Sequence, residues 1–344
     1  MFEATRPVLF CDYFRIPYRA VTDSDGPASP PRPGLARLWR TGDGGPARSL
    51  AWPVDEGALP PGGLLPAGEY RVGEIPVFCR VMPDRIADAW LGEAPGGWAP
   101  AIPVLDAAGR RVAAVRRDRA GNVFLPFDPA EAIRNYWSEA YLARGRARPV
   151  GRLKRLAMRG YYRARPALPR PAQLGLRRAF SRLQSRARFP RWPLEPALHD
   201  LYDLLFQYIA DVAGGPVPWL APWPGGHSWA LVLTHDVETA VGYAHLHLLR
   251  GAEARAGYRS SWNFVPRRYA VDDATVRELT AAGWEVGVHG LYHDGRDLAS
   301  LRVLKRRLPA MREHAARWGA SGFRSPATHR VWEWMPLLGF DYDS

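Results

Sequence analysis

The sequence is poor in several features that would assign it to a familiar class of protein. It has two cysteines, Cys11 and Cys79, in 344 residues. This excludes a disulfide-framed secreted domain and a zinc or iron–sulfur site built from several cysteines. No apolar run reaches the ~18 residues that a transmembrane helix needs. The N-terminal stretch is interrupted by charges and prolines and lacks the apolar core of a signal peptide, so we expect a soluble, cytoplasmic chain.

Acidic residues are absent from one long segment, and this absence explains the net charge. The chain has 47 Lys and Arg residues against 34 Asp and Glu residues, a formal net charge of +13. Residues 144–191 hold 16 of the basic residues and no acidic one, which leaves 31 basic against 34 acidic residues elsewhere. The protein is therefore nearly neutral apart from one basic segment.

Part of this basic segment has the pattern of a surface helix. Ala172–Arg188 is predicted to form an amphipathic helix with arginines on its polar face. A helix of this kind either packs back on its own domain or makes peripheral contact with an anionic membrane or glycan. The chain has no recognisable nucleic-acid-binding module, which disfavours nucleic acid as a partner.

The composition of the chain changes twice and divides it into three predicted regions. Residues 1–130 contain short apolar stretches separated by Gly, Pro and Asp-Gly turns, which predict a β-rich accessory domain with a strand at Ile75–Val81 and a hairpin at Asp106–Gly109. Residues 131–227 predict a helical, Arg-rich connecting region with a second amphipathic helix at Leu198–Val212. Residues 228–344 form the third region.

In the third region, apolar strands alternate with helices. The strands are predicted at the segments WALVLT, YRSSWNFV, WEVGVH, SGFRSP and GFDYDS. This alternation is typical of an α/β fold with a parallel sheet and right-handed crossovers.

Polar side chains follow three of these strands, at the point where each strand ends. Asp236 and Glu238 follow the first strand, His289 and His293 the third, and Arg324 the fourth. The carboxyl ends of parallel strands meet at one edge of a sheet. Two histidines and a carboxylate can form a three-ligand zinc site with an open position for water, and a second carboxylate held ionised by an arginine can serve as general base. The sequence therefore predicts a site for a divalent metal, with zinc as the preferred ion.

The phrases that carry these residues resemble a known family. THDVE, VGVHGLYHDGR and GFRSPATHR stand in this order, and the segment 229–344 resembles the polysaccharide deacetylase family, also called the NodB homology domain or carbohydrate esterase family 4. The resemblance implies a distorted (β/α) barrel, of which about five strands are present. It also implies a hydrolase that removes N- or O-acetyl groups from glycans with a divalent metal, often zinc.

The resemblance also implies roles for individual residues. His289 and His293 match the two histidine ligands, and Asp236 matches the general base. The family's metal-binding aspartate is replaced by Val237, so Glu238 would be the third ligand, as in relatives that place this ligand one residue later.

Further positions match the motifs or lie near the same edge of the sheet. Arg324 matches the arginine that positions the base, and Pro326 matches the motif proline. Trp262, Asn263 and Tyr292 are candidates for lining a sugar site, with packing in the interior as the alternative for each.

The reaction implied is attack of a metal-bound water, deprotonated by Asp236, on the acetamide carbonyl of an N-acetylated saccharide. Two alternatives stay open. One is hydrolysis of another non-peptide C–N bond on the same fold. The other is a non-catalytic glycan-binding or scaffold protein with a degenerate site, which the substitution at Val237 favours. The family's general acid, a late histidine, would lie beyond Ser344, so we expect a C-terminally truncated barrel, and such a chain need not be active.

Overall fold

The computed structural model describes most of the chain as two compact units. The described residues are 1–22, 34–41, 48–54, 56–91, 97–142, 156–157, 160–161, 164, 168–184, 189–191, 194–326 and 331–344. The units are Met1–Pro222 and Trp223–Ser344, and together they have mixed α/β structure. Within those ranges, none of the helices combines the length and the apolar character that spanning a lipid bilayer requires.

Unit 1 is built on a mixed sheet of nine strands among the described residues. In chain order, the strands are β1 (Phe2–Ala4), β2 (Tyr18–Ala20), β3 (Leu35–Arg40), β4 (Ser49–Pro53), β5 (Leu65–Val72), β6 (Ile75–Val81), β7 (Trp98–Asp106), β8 (Arg111–Asp118) and β9 (Val123–Phe124). Their order in the sheet is β2-β1-β3-β4-β9-β8-β7-β5-β6. The neighbouring strands are antiparallel except for the pairs β1–β2 and β4–β9.

The predicted hairpin joins β7 and β8. The carboxylate of Asp106 accepts hydrogen bonds from the backbone N–H groups of Ala108 and Arg110, both at 2.9 Å. Gly109 adopts a positive φ of 81°, a conformation that glycine reaches without a steric cost. The predicted strand Ile75–Val81 is observed with the same bounds.

Helices accompany the strands of unit 1 along the chain, and several of them contribute side chains to its core. They are α1 (Leu9–Phe14), α2 (Asp84–Leu91), α3 (Pro129–Trp137), α4 (Arg170–Gln184) and α5 (Ala197–Ala213), with a short 3-10 helix at Glu56–Ala58. Asp128 caps α3 by accepting a hydrogen bond from the N–H of Ala130 at 2.9 Å, which satisfies one of the unpaired donors at the helix start. The predicted helix Leu198–Val212 corresponds to α5, which buries one face against the sheet.

Unit 2 confirms the prediction of a parallel sheet. Its five described strands are β10 (Thr234–Val237), β11 (Ser261–Phe264), β12 (Glu285–Val288), β13 (Gly322–Phe323) and β14 (Tyr342–Asp343). They lie side by side in chain order, and every neighbouring pair is parallel. Their carboxyl ends therefore point to the same edge of the sheet.

Helices connect these strands, and most begin at a residue that caps them. The helices are α6 (Ala240–Ala244), α7 (Leu246–Arg255), α8 (Asp273–Ala281) and α9 (Leu301–Trp318), with 3-10 helices at Pro224–Gly226 and Trp332–Leu337. The side chains of Thr239, Asp272 and Ser300 accept hydrogen bonds from backbone N–H groups at the starts of α6, α8 and α9.

The prediction that WALVLT forms the first buried strand is wrong. β10 begins at Thr234, and the side chains of Trp229, Leu231 and Val232 are 72, 63 and 70% exposed. The reason is that β10 lies at one end of the strand order, where β11 is its one neighbour among the described strands, and β11 begins at Ser261 opposite Thr234. Residues 229–232 precede this pairing and stay outside the sheet.

Candidate metal centre

Three side chains at the carboxyl edge of the unit 2 sheet form a group that could hold a metal ion. Glu238, His289 and His293 each offer one ligand atom, and these atoms lie within 4.8 Å of one another. Nε2 of His293 lies 3.2 Å from Oε1 of Glu238. Glu238 follows β10, and both histidines follow β12, so the group spans the end of the intervening strand β11.

A backbone carbonyl fixes which nitrogen of His289 can bind a metal. Nδ1 of His289 lies 3.0 Å from the carbonyl oxygen of Arg324. A carbonyl can only accept a hydrogen bond, so Nδ1 carries the proton and Nε2 keeps its lone pair. Histidine ligands in metal sites are oriented in this way.

Burial of the same imidazole favours its neutral form, which is the form that binds a metal ion. His289 is 3% exposed. Burial lowers its pKa, because it disfavours the charged imidazolium, and the nearby Asp236 carboxylate opposes this shift less strongly. His289 therefore stays neutral to a lower pH than an ordinary histidine.

The second histidine lies in a loop with an unusual backbone. His293 has a φ of 56°, in the left-handed region that residues other than glycine seldom occupy. Gly290, at the start of the loop, has a φ of 63°, and a Cβ there would lie 2.4 Å from Oδ2 of Asp297 and 2.7 Å from Cγ of Pro326. A side chain at position 290 therefore does not fit without displacing these neighbours.

A buried ion pair between Asp297 and Arg307 attaches this loop to α9. Asp297 is 1% exposed; it accepts a hydrogen bond from the N–H of Leu291 at 3.1 Å and from Arg307 at 2.7 Å. Arg307, on α9, also binds both carboxylate oxygens of Asp294 at 2.7 Å. The loop that carries His293 is thus tied to α9 by charge-assisted hydrogen bonds.

The candidate base, Asp236, is held by two donors. Its Oδ1 accepts hydrogen bonds from NH1 of Arg324 at 3.3 Å and from Nδ2 of Asn263 at 3.2 Å. Its Oδ2 lies 3.9 Å from Nε2 of His289, and the side chain is 29% exposed. Asp236 therefore lies beside the metal-binding group with one oxygen already engaged.

Arg324 is itself positioned by side chains from both ends of the sheet. NH1 donates to Oγ1 of Thr234 at 2.8 Å, and Nε donates to Oγ of Ser344 at 3.0 Å. Pro326 lies beside Gly290, where its Cγ would be 2.7 Å from an added Cβ. Residues 327–330, the second half of the phrase GFRSPATHR, lie outside the described residues.

The three candidate sugar-binding residues have different surroundings. Asn263 is 2% exposed and donates a hydrogen bond to Asp236, so it orients the candidate base and offers no surface to a sugar. Trp262 is also 2% exposed, and its ring packs against His235 and Trp284 on the other face of the sheet. Tyr292 is 40% exposed, and its hydroxyl accepts a hydrogen bond from NH1 of Arg267 at 3.2 Å. Of the three, Tyr292 alone is open to a ligand.

Several supporting residues are missing from the sequence prediction. Thr234 supports Arg324, and Asp297 with Arg307 supports the loop of His293. Asp294 and Asp297 follow the His-x-x-x-His motif directly, which is a signal that could have found them. Arg307 has no local signal, because its role depends on how α9 packs.

The donor set is of a kind that can hold a divalent metal ion. Two imidazoles and one carboxylate are a common ligand set for catalytic zinc sites, which keep a further position open. The ligand atoms lie within 4.8 Å of one another, a limit about 1.5 Å wider than the spacing of nitrogen and oxygen ligands on one tetrahedral zinc ion. Small side-chain rotations close such a gap, since Glu238 is 49% exposed and His293 is 20% exposed.

Comparison of the chain with models of protein families, with curated proteins and with solved structures found no significant match. The chemistry of the site therefore rests on its own residues and distances.

Proposed function

We propose that unit 2 is a metal-dependent hydrolase that removes acetyl groups from an N-acetylated saccharide, and that its five strands are part of a NodB-type barrel. One observation carries the proposal. The ligand group Glu238, His289 and His293 lies beside a carboxylate, Asp236, that is oriented by Arg324.

The three ligands would hold a divalent ion, with zinc the preferred one. When bound, such an ion acts as a Lewis acid and lowers the pKa of a water in its open position toward ~7. The neutral His289, with Nε2 available, is in the protonation state that binding requires.

Asp236 is the group that takes a proton from the attacking water. Its Oδ1 is occupied by Arg324 and Asn263, so Oδ2, on the side of His289, is the oxygen available to accept the proton. The guanidinium of Arg324 stabilises the ionised carboxylate and restricts its rotation.

The proposed substrate class follows from the resemblance to the deacetylase family, which rests on three motifs in the same order. Its support in the structure is that the residues of these motifs lie close together. A hydrolase of another non-peptide C–N bond would use the same groups. A substrate panel distinguishes the two, because the ligands and base are common to both and only the bound substrate differs.

The test measures bound zinc and released acetate in the same samples. We expect the wild type to bind about one zinc ion and to release acetate from N-acetylated oligosaccharides. His289→Ala with His293→Ala should lose the metal, and Asp236→Asn should keep the metal but lose turnover. His314→Ala, a change on α9 outside the ligand group, is the matched control.

Each contrary result has a definite meaning. Equal zinc content in the double variant would refute the ligand assignment, and unchanged turnover in Asp236→Asn would refute its role as base. Hydrolysis of cyclic amides or ureides in place of acetylated sugars would replace the substrate class. A metal-loaded protein that binds glycans and hydrolyses none of these substrates would be a binding protein.

A further inference from the structure

The segment that follows β11 is attached to both chain segments that carry the candidate ligands. The N–H of Arg267 donates to the carbonyl oxygen of Leu291, in the loop of the second histidine ligand, at 3.1 Å. The hydroxyl of Tyr269 donates to the carbonyl oxygen of Val237, the residue before the glutamate ligand. Arg267 therefore lies at the same edge of the sheet as the ligand group.

The side chain of Arg267 contacts a tyrosine next to one of these ligands. Its NH1 donates to the hydroxyl oxygen of Tyr292 at 3.2 Å, and Tyr292 directly precedes His293 in the chain. The guanidinium carbon of Arg307 lies 5.0 Å from the centroid of the Tyr292 ring, within the range of a cation–π contact. Because Arg307 is fixed by its buried ion pair, the tyrosine ring packs against an immobile group.

Arg267 and Tyr292 both keep hydrogen-bond donors that no described residue uses. Within the described ranges, the side chain of Arg267 bonds to Tyr292 and to no other group. A guanidinium has five N–H donors, so most of those of Arg267 remain available. The Tyr292 hydroxyl accepts the bond from Arg267, and none of the described groups accepts its proton. Since Tyr292 is 40% exposed and Arg267 is exposed, both can donate to one bound ligand.

The exposed side chains around this pair are positively charged. Arg267 and Arg268 follow β11, and Arg296 lies in the loop that carries the second histidine ligand; all three are exposed. In the part of the chain that the structure describes, none of the three forms an ion pair with a carboxylate. Arginines without a counter-charge beside a site attract anionic ligands, and the planar guanidinium binds a carboxylate or phosphate through paired hydrogen bonds.

We propose that Arg267 and Tyr292 form a subsite for an anionic group, a carboxylate or a phosphate, so that the substrate is an acidic N-acetylated saccharide. This inference deepens the proposed function and rests on it. The guanidinium of Arg267 binds the anionic oxygens, and the hydroxyl of Tyr292 donates to one of them. A neutral saccharide lacks this contact, so the subsite discriminates between substrates by charge.

The test compares two pairs of saccharides that differ in charge. A hyaluronan hexasaccharide has N-acetyl groups and carboxylates on alternate sugars, whereas a chitin hexasaccharide has the same length and is neutral. The second pair, N-acetylglucosamine 1-phosphate and N-acetylglucosamine, tests a phosphate. Isothermal titration calorimetry of the zinc-loaded chain with Asp236→Asn measures each Kd without turnover. We expect the acidic member of at least one pair to bind roughly tenfold more tightly, because hydrogen bonds between charged groups are the stronger ones.

Two substitutions separate the contribution of the charge from that of the hydroxyl. Arg267→Gln should raise the Kd of the acidic saccharide roughly tenfold and leave the Kd of the neutral one unchanged. Tyr292→Phe should raise the Kd of the acidic saccharide roughly threefold, because one hydrogen bond is lost. In turnover assays, Arg267→Gln should raise KM for the acidic saccharide with little change in kcat, as expected for a contact made equally in the ground and transition states. The matched control is Arg277→Gln, the same charge change at an exposed position of α8.

The two saccharide pairs also identify the anionic group. Tighter binding of the hyaluronan hexasaccharide alone would assign the subsite to a carboxylate, and tighter binding of the sugar phosphate alone would assign it to a phosphate. Equal Kd values within both pairs would overturn the proposal. A loss in Arg267→Gln that is the same for acidic and neutral saccharides, or that Arg277→Gln reproduces, would also overturn it.

Failure of this inference and failure of the proposed reaction give different results. Acetate release from the acidic and neutral hexasaccharides with equal kcat/KM and equal Kd would support the deacetylase and overturn the subsite. Binding of the acidic saccharide through Arg267, without hydrolysis of any substrate, would support the subsite and overturn the deacetylase. Circular dichroism of each variant verifies that unit 2 remains folded.

Discussion

Nδ1 of His289 lies 3.0 Å from the backbone carbonyl oxygen of Arg324. The same arginine places its guanidinium 3.3 Å from Asp236. The backbone of one residue therefore fixes the tautomer of a candidate ligand, while its side chain orients the candidate base. Substitution of this side chain should affect the base and leave the ligand intact.

Arg324→Lys should lower kcat roughly ten- to hundredfold with no loss of zinc. Lysine keeps the positive charge but lacks the planar fork that reaches Thr234, Asp236 and Ser344 together. Steady-state kinetics and metal analysis on the same preparation measure the two effects. Arg302→Lys is the control, and a parallel loss of zinc and turnover in Arg324→Lys would contradict the assignment.

Glu238→Ala should weaken zinc binding at least roughly hundredfold, because loss of a ligand exceeds the ten- to hundredfold cost of losing a residue that merely orients one. Competition with a chelator measures the zinc Kd. The zinc Kd of Glu238→Asp should lie between those of the wild type and Glu238→Ala, since aspartate keeps the negative charge on a shorter side chain. Glu313→Ala, an exposed change on α9, should have no effect; an equal Kd in Glu238→Ala and wild type would remove Glu238 from the ligand set.

Gly287→Ala should lower turnover through Asn263. A Cβ at position 287 would lie 2.1 Å from Oδ1 of Asn263, so the amide must leave the position in which it donates to Asp236. We expect kcat to fall roughly tenfold, as one hydrogen bond to the base is lost, while zinc content stays the same. Gly251→Ala on α7 is the matched control. Wild-type kinetics in Gly287→Ala would show that Asn263 does not position the base.

Asp297→Asn should destabilise unit 2 by about 1–3 kcal/mol. The reason is that the buried hydrogen bond from the charged Arg307 would then go to a neutral acceptor and would be weaker. Arg307 keeps its bonds to Asp294, so the loss is smaller than for a fully broken pair. Urea denaturation measures the free energy of unfolding. Asp341→Asn, at an exposed position, should be neutral, and a similar result for Asp297→Asn would argue against its supporting role.

Acid should weaken the contribution of Asp294 to stability. Its hydrogen bonds with Arg307 lower its pKa to about 2, against about 3.9 in an unfolded chain. As the pH falls below about 4, the unfolded chain takes up the proton first, so the stabilisation by Asp294 is full above that pH and is lost progressively toward pH 2.

The comparison of wild type with Asp294→Asn isolates this effect. The difference in unfolding free energy between the two proteins should be largest at pH 5–7 and shrink as the pH approaches 2. Because Asp294 is partly exposed, solvent screening reduces the size of the difference. A difference that is constant with pH would show that the carboxylate charge contributes nothing.

The sequence was sufficient to predict the parallel sheet of unit 2 and the meeting of five polar residues at its edge. That prediction needed only the alternation of strands and helices and the rule that parallel strands end on one side. Asp236, Glu238, His289, His293 and Arg324 do lie together in the structure.

The direction of successive side chains along a strand explains why Trp262 lies on the face of the sheet away from Asp236. Successive residues of a strand point to opposite faces of the sheet, so Trp262 and Asn263 could not both line one site. Asn263 faces Asp236 and Trp262 faces His235. This alternation was available in the sequence, whereas the position of the Arg307 side chain required the packing of α9 against the loop.

β10 lies at one end of the strand order, so the side chains of the candidate site help to hold this strand in the sheet. Among the strands that the structure describes, β11 is the one neighbour of its backbone. Side chains link it to the strands beyond, through Glu238 with His293 and through Thr234 and Asp236 with Arg324. Amide hydrogens of residues 234–237 should therefore exchange faster with solvent once these side chains are removed. The same substitutions would then loosen β10 at the edge of the unit 2 sheet and impair the chemistry of the site.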